Sequence, residues 1–310
     1  MPPISPPPLR GVIPIIPTPF RADESVDLAG LARCVRFAID CGACAICLPA
    51  YASEFYKLTE TERLQVITTA LEACEGRLPV IAQSNHPSAR VAAELGRRYE
   101  QMGAGVISFA LPRQFAVPTQ DLLDYCRTIC DAVQVPVLVQ DFNPGGPTVG
   151  AEFAGTLHER CPNFRFLKLE EPLMATKVRA VRAATTDGVG VLEGWGGMYV
   201  LELIPAGVCG LMPGLGAADL LQRIWHLGTS AHTEEALDLF EALLPQLVFA
   251  LQNLELFLCL EKKLLAARGV LDEASTYVRR PTWTPDPETL AYGLRLNARV
   301  IKACTKQRPA

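Results

Sequence analysis

No apolar run in this 310-residue chain approaches the roughly 20 residues that a membrane helix needs, so no bilayer span is expected. Neither charge sign is in large excess. The 29 Lys and Arg stand against 33 Asp and Glu, for a formal net charge of −4, which gives no reason to expect nucleic acid or an anionic membrane as a partner. The four histidines show no metal-ligand spacing, so no metal is expected. The opening "MPPISPPPLR" lacks the basic-then-apolar layout of a secretory signal and reads as a short extended tail over residues 1–10. No G-x-G-x-x-G follows the first strand-like run, which weakens the case for a doubly wound dinucleotide-binding sheet. There is no low-complexity linker. What remains is the expectation of a soluble, cytoplasmic protein.

With 49% hydrophobic residues the chain can bury a sizeable core, and α/β barrels of this length form one unit. Eleven cysteines include "CGACAIC", which sets Cys41, Cys44 and Cys47 at metal-like spacing. Cys41 closes a helical pattern, Gly42 makes a turn, and Cys44 and Cys47 fall in an apolar strand. With no further ligand cluster nearby, they read as small buried hydrophobes.

Apolar strand-like runs occupy residues 12–17, 43–49, 79–83, 105–110, 136–140, 164–169, 188–194 and 208–213. Helical patterns alternate with them at 27–41, 59–75, 87–102, 119–133, 149–160, 172–185, 197–206 and 217–228. Thr59 with Glu62 forms a capping box, Pro87 suits a first helical position, and Thr119 can cap. Eight β-then-α units predict an α/β fold, a (β/α)₈ TIM barrel over residues 11–230. Helical patterns at 233–252, 254–268 and 286–304 then predict a C-terminal helical extension over 231–310.

In "NFRFLKLEEP", residues 163–172, a period of two puts Phe164, Phe166 and Lys168 on one face and Arg165, Leu167 and Leu169 on the other. Barrel enzymes take their reactive groups from the C-terminal ends of strands, where Lys168 falls. Burial disfavours an ammonium, and a neutral amine can condense with a ketone to give an iminium, an electron sink for the neighbouring C–C bond. The alternative is a rim ion pair of Lys168 with Glu170 or Glu171.

The whole arrangement resembles the dihydrodipicolinate synthase and N-acetylneuraminate lyase family of Schiff-base pyruvate aldolases. "GVIPIIPTPF" (11–20) looks like that family's first strand, and "LPAYASEFYKLTETER" (48–63) like its substrate loop. "VPVLVQDF" (135–142), "FLKLEEP", "EGWGG" (193–197) and "AGVCGLMPG" (206–214) resemble its fifth to eighth strand ends. Glu54 to Gln140 spans 86 residues and Gln140 to Lys168 spans 28, as in that family, and the likeness covers essentially the whole chain. The resemblance implies a Schiff base on Lys168 with pyruvate or another 2-oxo acid, no separate cofactor, and a homotetramer or homodimer.

The details depart from the family's pattern. Its Gly-Thr-Thr-Gly-Glu loop, whose threonines bind the pyruvate carboxylate and relay protons, reads Ala50-Tyr51-Ala52-Ser53-Glu54. Ala52 keeps a backbone N–H for a carboxylate but has no hydroxyl, and Ser53 is a further substrate-binding candidate. The family's acid/base tyrosine falls at Gln140, an amide that cannot shuttle protons near neutral pH. An alignment anchored on Pro144 puts Asp141 there instead. The family's substrate-binding arginine falls at Gly145, and the tyrosine crossing its dimer interface falls at Gln114, so dihydrodipicolinate synthesis itself is not expected. Tyr51 either transfers the proton or fills volume. Arg113 either binds a carboxylate or is exposed. Glu170 and Glu171 either face the substrate or pair with Arg165 or Lys177. Gly194, in the glycine-rich turn, offers a ligand close approach. His86 is either a site residue or a helix-start residue. A class I lyase follows from the lysine. A catalytically inactive or repurposed binding protein follows from the missing tyrosine.

Overall fold

The computed structural model describes residues 9–113, 116–143 and 146–305. The first eight residues, Gln114, Pro144 and Gly145 lie outside the described residues.

Eight parallel strands run β1 Gly11–Val12, β2 Ile46–Leu48, β3 Val80–Gln83, β4 Val106–Ala110, β5 Val137–Asp141, β6 Phe164–Leu169, β7 Gly190–Glu193 and β8 Gly210–Leu211. They form one sheet in the order β1-β8-β7-β6-β5-β4-β3-β2. The sheet closes where Ile15 bridges Cys47 and Ile16 N donates to Cys47 O at 3.0 Å. This is the (β/α)₈ barrel. β1 is shorter than its apolar run because Pro14 has no N–H to give the ladder.

The helices are α1 Leu28–Asp40, α2 Glu60–Cys74, α3 Ala89–Met102, α4 Thr119–Cys130, α5 Ala151–Arg160, α6 Ala175–Ala184, α7 Val200–Leu203, α8 Ala218–Thr229, α9 Thr233–Ala250, α10 Leu254–Ala267 and α11 Pro287–Thr305. The capping box at Thr59 and Glu62 forms with both its bonds. Two other start signals fail. Ser88, not Pro87, precedes α3, and Thr119 is already helical behind Pro118 with no capping bond from either residue. α6 begins later than its pattern because Leu173 adopts φ 57°, a left-handed conformation that interrupts helix. α7 is four residues long because the positive φ of Gly196 and Gly197 uses up its expected start. Among the described residues no helix is long and apolar enough to cross a membrane.

Alternation along the strands sorts the core into two layers. Val80, Ile107, Val139, Leu167 and Val191 face the helices, while Ile81, Val106, Leu138, Phe166 and Leu192 fill the barrel interior. Cys47 joins the interior layer, and Cys41 caps the end of α1. Phe164 does not share the face of Lys168, because it packs in the outer layer. The pairing of β5 with β6 steps from Val137↔Phe164 to Leu138↔Phe166, so Arg165 is skipped in a bulge and the period of two breaks there.

α10 ties the helical segment to the barrel with buried charge. Lys262 is fully buried and donates to Glu54 Oε1 in the loop after β2 and to Tyr277 O at 2.9 Å. Its neighbour Glu261 accepts from Gly216 N at 2.6 Å in the loop after β8. Burial pushes the Glu261 carboxyl from an ordinary 4.5 up to about 7. A folded-state value raised in this way contributes stability that is fully present below about 4.5 and is lost as pH rises through about 7. Glu261→Gln should therefore flatten the fall in stability between mildly acidic and mildly alkaline pH, by up to about 3 kcal/mol. Urea unfolding at both ends of that range reads this. Parallel losses in variant and native protein would contradict the assignment.

Candidate active site

Above the apolar plug, the next inward-facing positions of four neighbouring strands are polar: Gln83, Ser108, Gln140 and Lys168, all buried. Register sets Ala110 opposite Gln140 and Gln140 opposite Lys168, so the lysine's neighbour on β5 is the amide. Asp141 points the other way, toward the helices. It takes a two-pronged ion pair from Arg113 (2.9 and 2.6 Å) and the N–H of Val149 at 2.6 Å. Neither Arg113 nor Asp141 reaches the cavity at the barrel mouth. The structure therefore does not bring these two expected substrate-binding residues together with Lys168.

That cavity, about 260 Å³, is lined by Lys168, Glu170, Gln140, Tyr51, Ala52 and Gly194 among others. Lys168 is 5% exposed, and its Nζ lies 3.1 Å from Glu170 Oε1. Glu170 and Glu171 divide the two roles anticipated for them. Glu171 pairs with Lys177 at 2.5 Å on the rim, while Glu170 turns into the cavity. A larger residue at Gly194 would displace the pair, because a Cβ there would stand 2.4 Å from Glu170 Cγ and 2.8 Å from Lys168 Cε.

Tyr51 sits across the cavity, edge-on to Phe55 with ring centroids 5.0 Å apart and 5.3 Å from Phe142. Burial, and then the nearby Glu170 charge, push its phenol above the ordinary tyrosine value, so it stays protonated. Its hydroxyl has no partner among the described residues. Beside it, the turn Tyr51–Ser53 uses the N–H groups of Ser53, Glu54 and Phe55, while that of Ala52, a residue lining the cavity, has no partner among the described residues. Ser53, the other substrate-binding candidate of this loop, is placed apart from the cavity. It is fully buried, its hydroxyl donates to Ile16 O at 2.6 Å, its N–H donates to Ala50 O, and it does not line the cavity. His86 also lies elsewhere, its ring accepting from Ser88 N at 3.0 Å at the start of α3.

Two features escaped sequence reading. Glu193, fully buried at the end of β7, accepts from Trp195 N at 3.0 Å and Gly197 N at 2.7 Å and so shapes the glycine turn around Gly194. Burial raises its carboxyl to about 7. The second is a chain of amides. Ala110 N can only donate, and it does so to Asn85 Oδ1 at 2.7 Å. Asn85 Nδ2 must then donate to Gln83 Oε1 (2.9 Å), and Gln83 Nε2 to Gln140 Oε1 (2.7 Å). Gln140 Nε2 is left to donate to Glu170 Oε1. One backbone N–H thus fixes the polarity of three amides and keeps a donor on the carboxylate beside Lys168. Asn85→Asp keeps the acceptor for Ala110 but loses the donor, so each amide turns over and an oxygen faces Glu170. Turnover should fall about ten- to a hundredfold, the worth of a hydrogen bond to a charged group. Steady-state rates within a factor of two of the native protein would refute the chain's role.

A family model described as the dihydrodipicolinate synthetase family matches residues 8–291. The chain is 29% identical over 299 residues to the L-2-keto-3-deoxyarabonate dehydratase of Azospirillum brasilense, spanning 94% of this chain and 96% of that protein. Two solved structures share the fold. The dihydrodipicolinate synthase of Rhodopseudomonas palustris has a TM-score of 0.87 at 23% identity, over 94% of this chain and 98% of its own. The N-acetylneuraminate lyase of Fusobacterium nucleatum has a TM-score of 0.83 at 19% identity, over 94% of this chain and 99% of its own.

Proposed function

The chain belongs to the dihydrodipicolinate synthetase family, a family of aldolase- and lyase-type enzymes, and on that premise we propose that it is a Schiff-base lyase acting on a 2-oxo acid. The observation that carries the reading is Lys168 itself, 5% exposed and lining the cavity at the mouth of the barrel. Its ion pair with Glu170 at 3.1 Å is the alternative anticipated from the sequence, and in this reading the same carboxylate is the lysine's proton acceptor. Transfer of one proton to Glu170 frees the amine, which attacks the C2 ketone of a substrate whose carboxylate is held by the Ala52 N–H. Glu170 returns that proton to the carbinolamine hydroxyl, water leaves, and the iminium forms on Lys168. The Glu170 carboxylate then takes a proton from C3 to give the enamine. From the enamine, the C4 hydroxyl leaves as water with the proton returned by Glu170, or C3 attacks an aldehyde to make the C3–C4 bond. Cleavage starts instead from the iminium, where Glu170 takes the proton of the C4 hydroxyl and the C3–C4 electron pair passes into the iminium to leave the enamine.

Gln140 is a positioning residue in this scheme, since it holds the Glu170 oxygen in place and carries no proton. The dehydratase from Azospirillum brasilense supports a 3-deoxy-2-oxo acid and a dehydration outcome. Dihydrodipicolinate synthesis is disfavoured because the family's substrate arginine and interface tyrosine are replaced at Gly145 and Gln114. Borohydride reduction in the presence of pyruvate should leave a stable adduct that peptide mass spectrometry places on Lys168. The reading fails if neither pyruvate nor a panel of other 2-oxo acids labels that residue, with Lys168→Ala as the blank.

A further inference from the structure

Among the described residues, three cations of the loops and helix starts at this end of the barrel are already paired. Arg113 is locked on Asp141, Lys177 on Glu171 and Thr148, and Lys57 on Glu54 and Glu255. Lys168 is the one cation lining the cavity among the described residues, and it faces Glu170. The residues of the neighbouring loops that lie outside the description, Gln114, Phe115, Pro144 and Gly145, carry no ionisable side chain. A substrate with a second anionic group at its far end would therefore find no cation besides Lys168 to compensate it among the described lining residues. Desolvating such a group without a partner is costly.

The far wall has its own character. Phe142 and Trp195 stand with ring centroids 6.5 Å apart, and the junction of α9 and α10 adds Leu251, Leu254 and Phe257. Two amides, Gln252 and Asn253, lie at this end, but the Asn253 oxygen is already spent capping α10 through Glu255 N at 2.8 Å and Leu256 N at 3.2 Å. What is left to meet a hydroxyl is the exposed Gln252 amide, the Asn253 Nδ2 and the Tyr51 phenol, against a wall that is otherwise aromatic and aliphatic.

We propose that the 2-oxo acid taken by this site carries an uncharged apolar group, aryl or branched alkyl, beyond C4. The inference deepens the lyase reading and rests on it for the position of the 2-oxo end. The same aromatic and aliphatic wall would hold an apolar aldehyde as the product of C3–C4 cleavage or as the partner in condensation.

Calorimetric binding to the native protein separates the possibilities without requiring turnover. Three probes share the 2-oxo acid end: 2-oxo-4-phenylbutanoate, 2-oxoglutarate and a 3-deoxy-2-oxopentonate. The phenyl compound should bind about tenfold or more tightly than either of the others, from burial of its ring alone. Equal or tighter binding of 2-oxoglutarate, or of the hydroxylated acid, overturns the proposal. Leu254→Lys, at the half-buried edge of the wall, should narrow or reverse the gap between the phenyl compound and 2-oxoglutarate, and an unchanged ratio would count against the assigned wall. Borohydride labelling run on the same samples tells the two readings apart. Labelling without phenyl preference sinks only the substrate class, and phenyl preference without labelling sinks only the Schiff base.

Discussion

Glu170→Gln should lower turnover by about a hundred- to ten-thousandfold, the usual worth of a placed general acid–base group, while KM for the 2-oxo acid changes little. The substitution keeps volume and an oxygen to accept from Gln140, so that hydrogen bond survives, while proton transfer and the negative charge facing Lys168 are both lost. Tyr51→Phe is the discriminating partner. The Tyr51 phenol lines the same cavity and is held protonated, which suits it to donate a hydrogen bond but not to act as a base. Its loss should cost less than about tenfold, in the range of one hydrogen bond. If the order is reversed, with Tyr51→Phe crippling and Glu170→Gln within threefold of native, the proton carrier is the phenol and the scheme above is wrong.

Breaking the buried pair between Glu54 and Lys262 should produce the largest loss of stability in the molecule. Both side chains are fully buried, and burial pushes the Lys262 ammonium below its ordinary value while the Glu54 carboxylate pulls it back up. Lys262→Met leaves the carboxylate with Lys57 alone, at 3.0 Å. Removing one partner of such a pair costs about 3–5 kcal/mol, and replacing both costs much less. The double variant Glu54→Gln/Lys262→Met should therefore be more stable in urea unfolding than the sum of the single losses implies, and simple additivity would refute the coupling. Activity should fall as well. Glu54 holds a left-handed conformation, φ 60°, between the turns Tyr51–Ser53 and Phe55–Lys57, so loosening it lets Tyr51 and Ala52 move.

These two results draw on different kinds of legibility. The barrel was readable because each β/α unit is local: apolar runs and helical patterns record their own periodicity, and Lys168 stands at the end of one run. What failed to show were partners. Arg113, Asp141 and Ser53 read as free polar groups, but each is satisfied by a neighbour that only the folded register supplies. Gln83 and Gln140 are 57 residues apart and Glu54 and Lys262 are 208 apart, distances across which no sequence pattern pairs an amide or an ion. Pro87 and Thr119 had suitable chemistry for helix starts, but the chain one residue away supplied the boundary instead.

The skipped Arg165 has a consequence for how the strand tolerates change in length. β6 carries one supernumerary residue, so its lysine is in frame with the barrel interior only when counted from Phe166. Excising Arg165 would remove the surplus and still leave Lys168 two positions beyond Phe166, facing inward. Excising Leu167 would instead shift the frame by one and turn the amine out among the helices. Along six residues of strand, the sequence holds one letter that can be dropped and one that cannot.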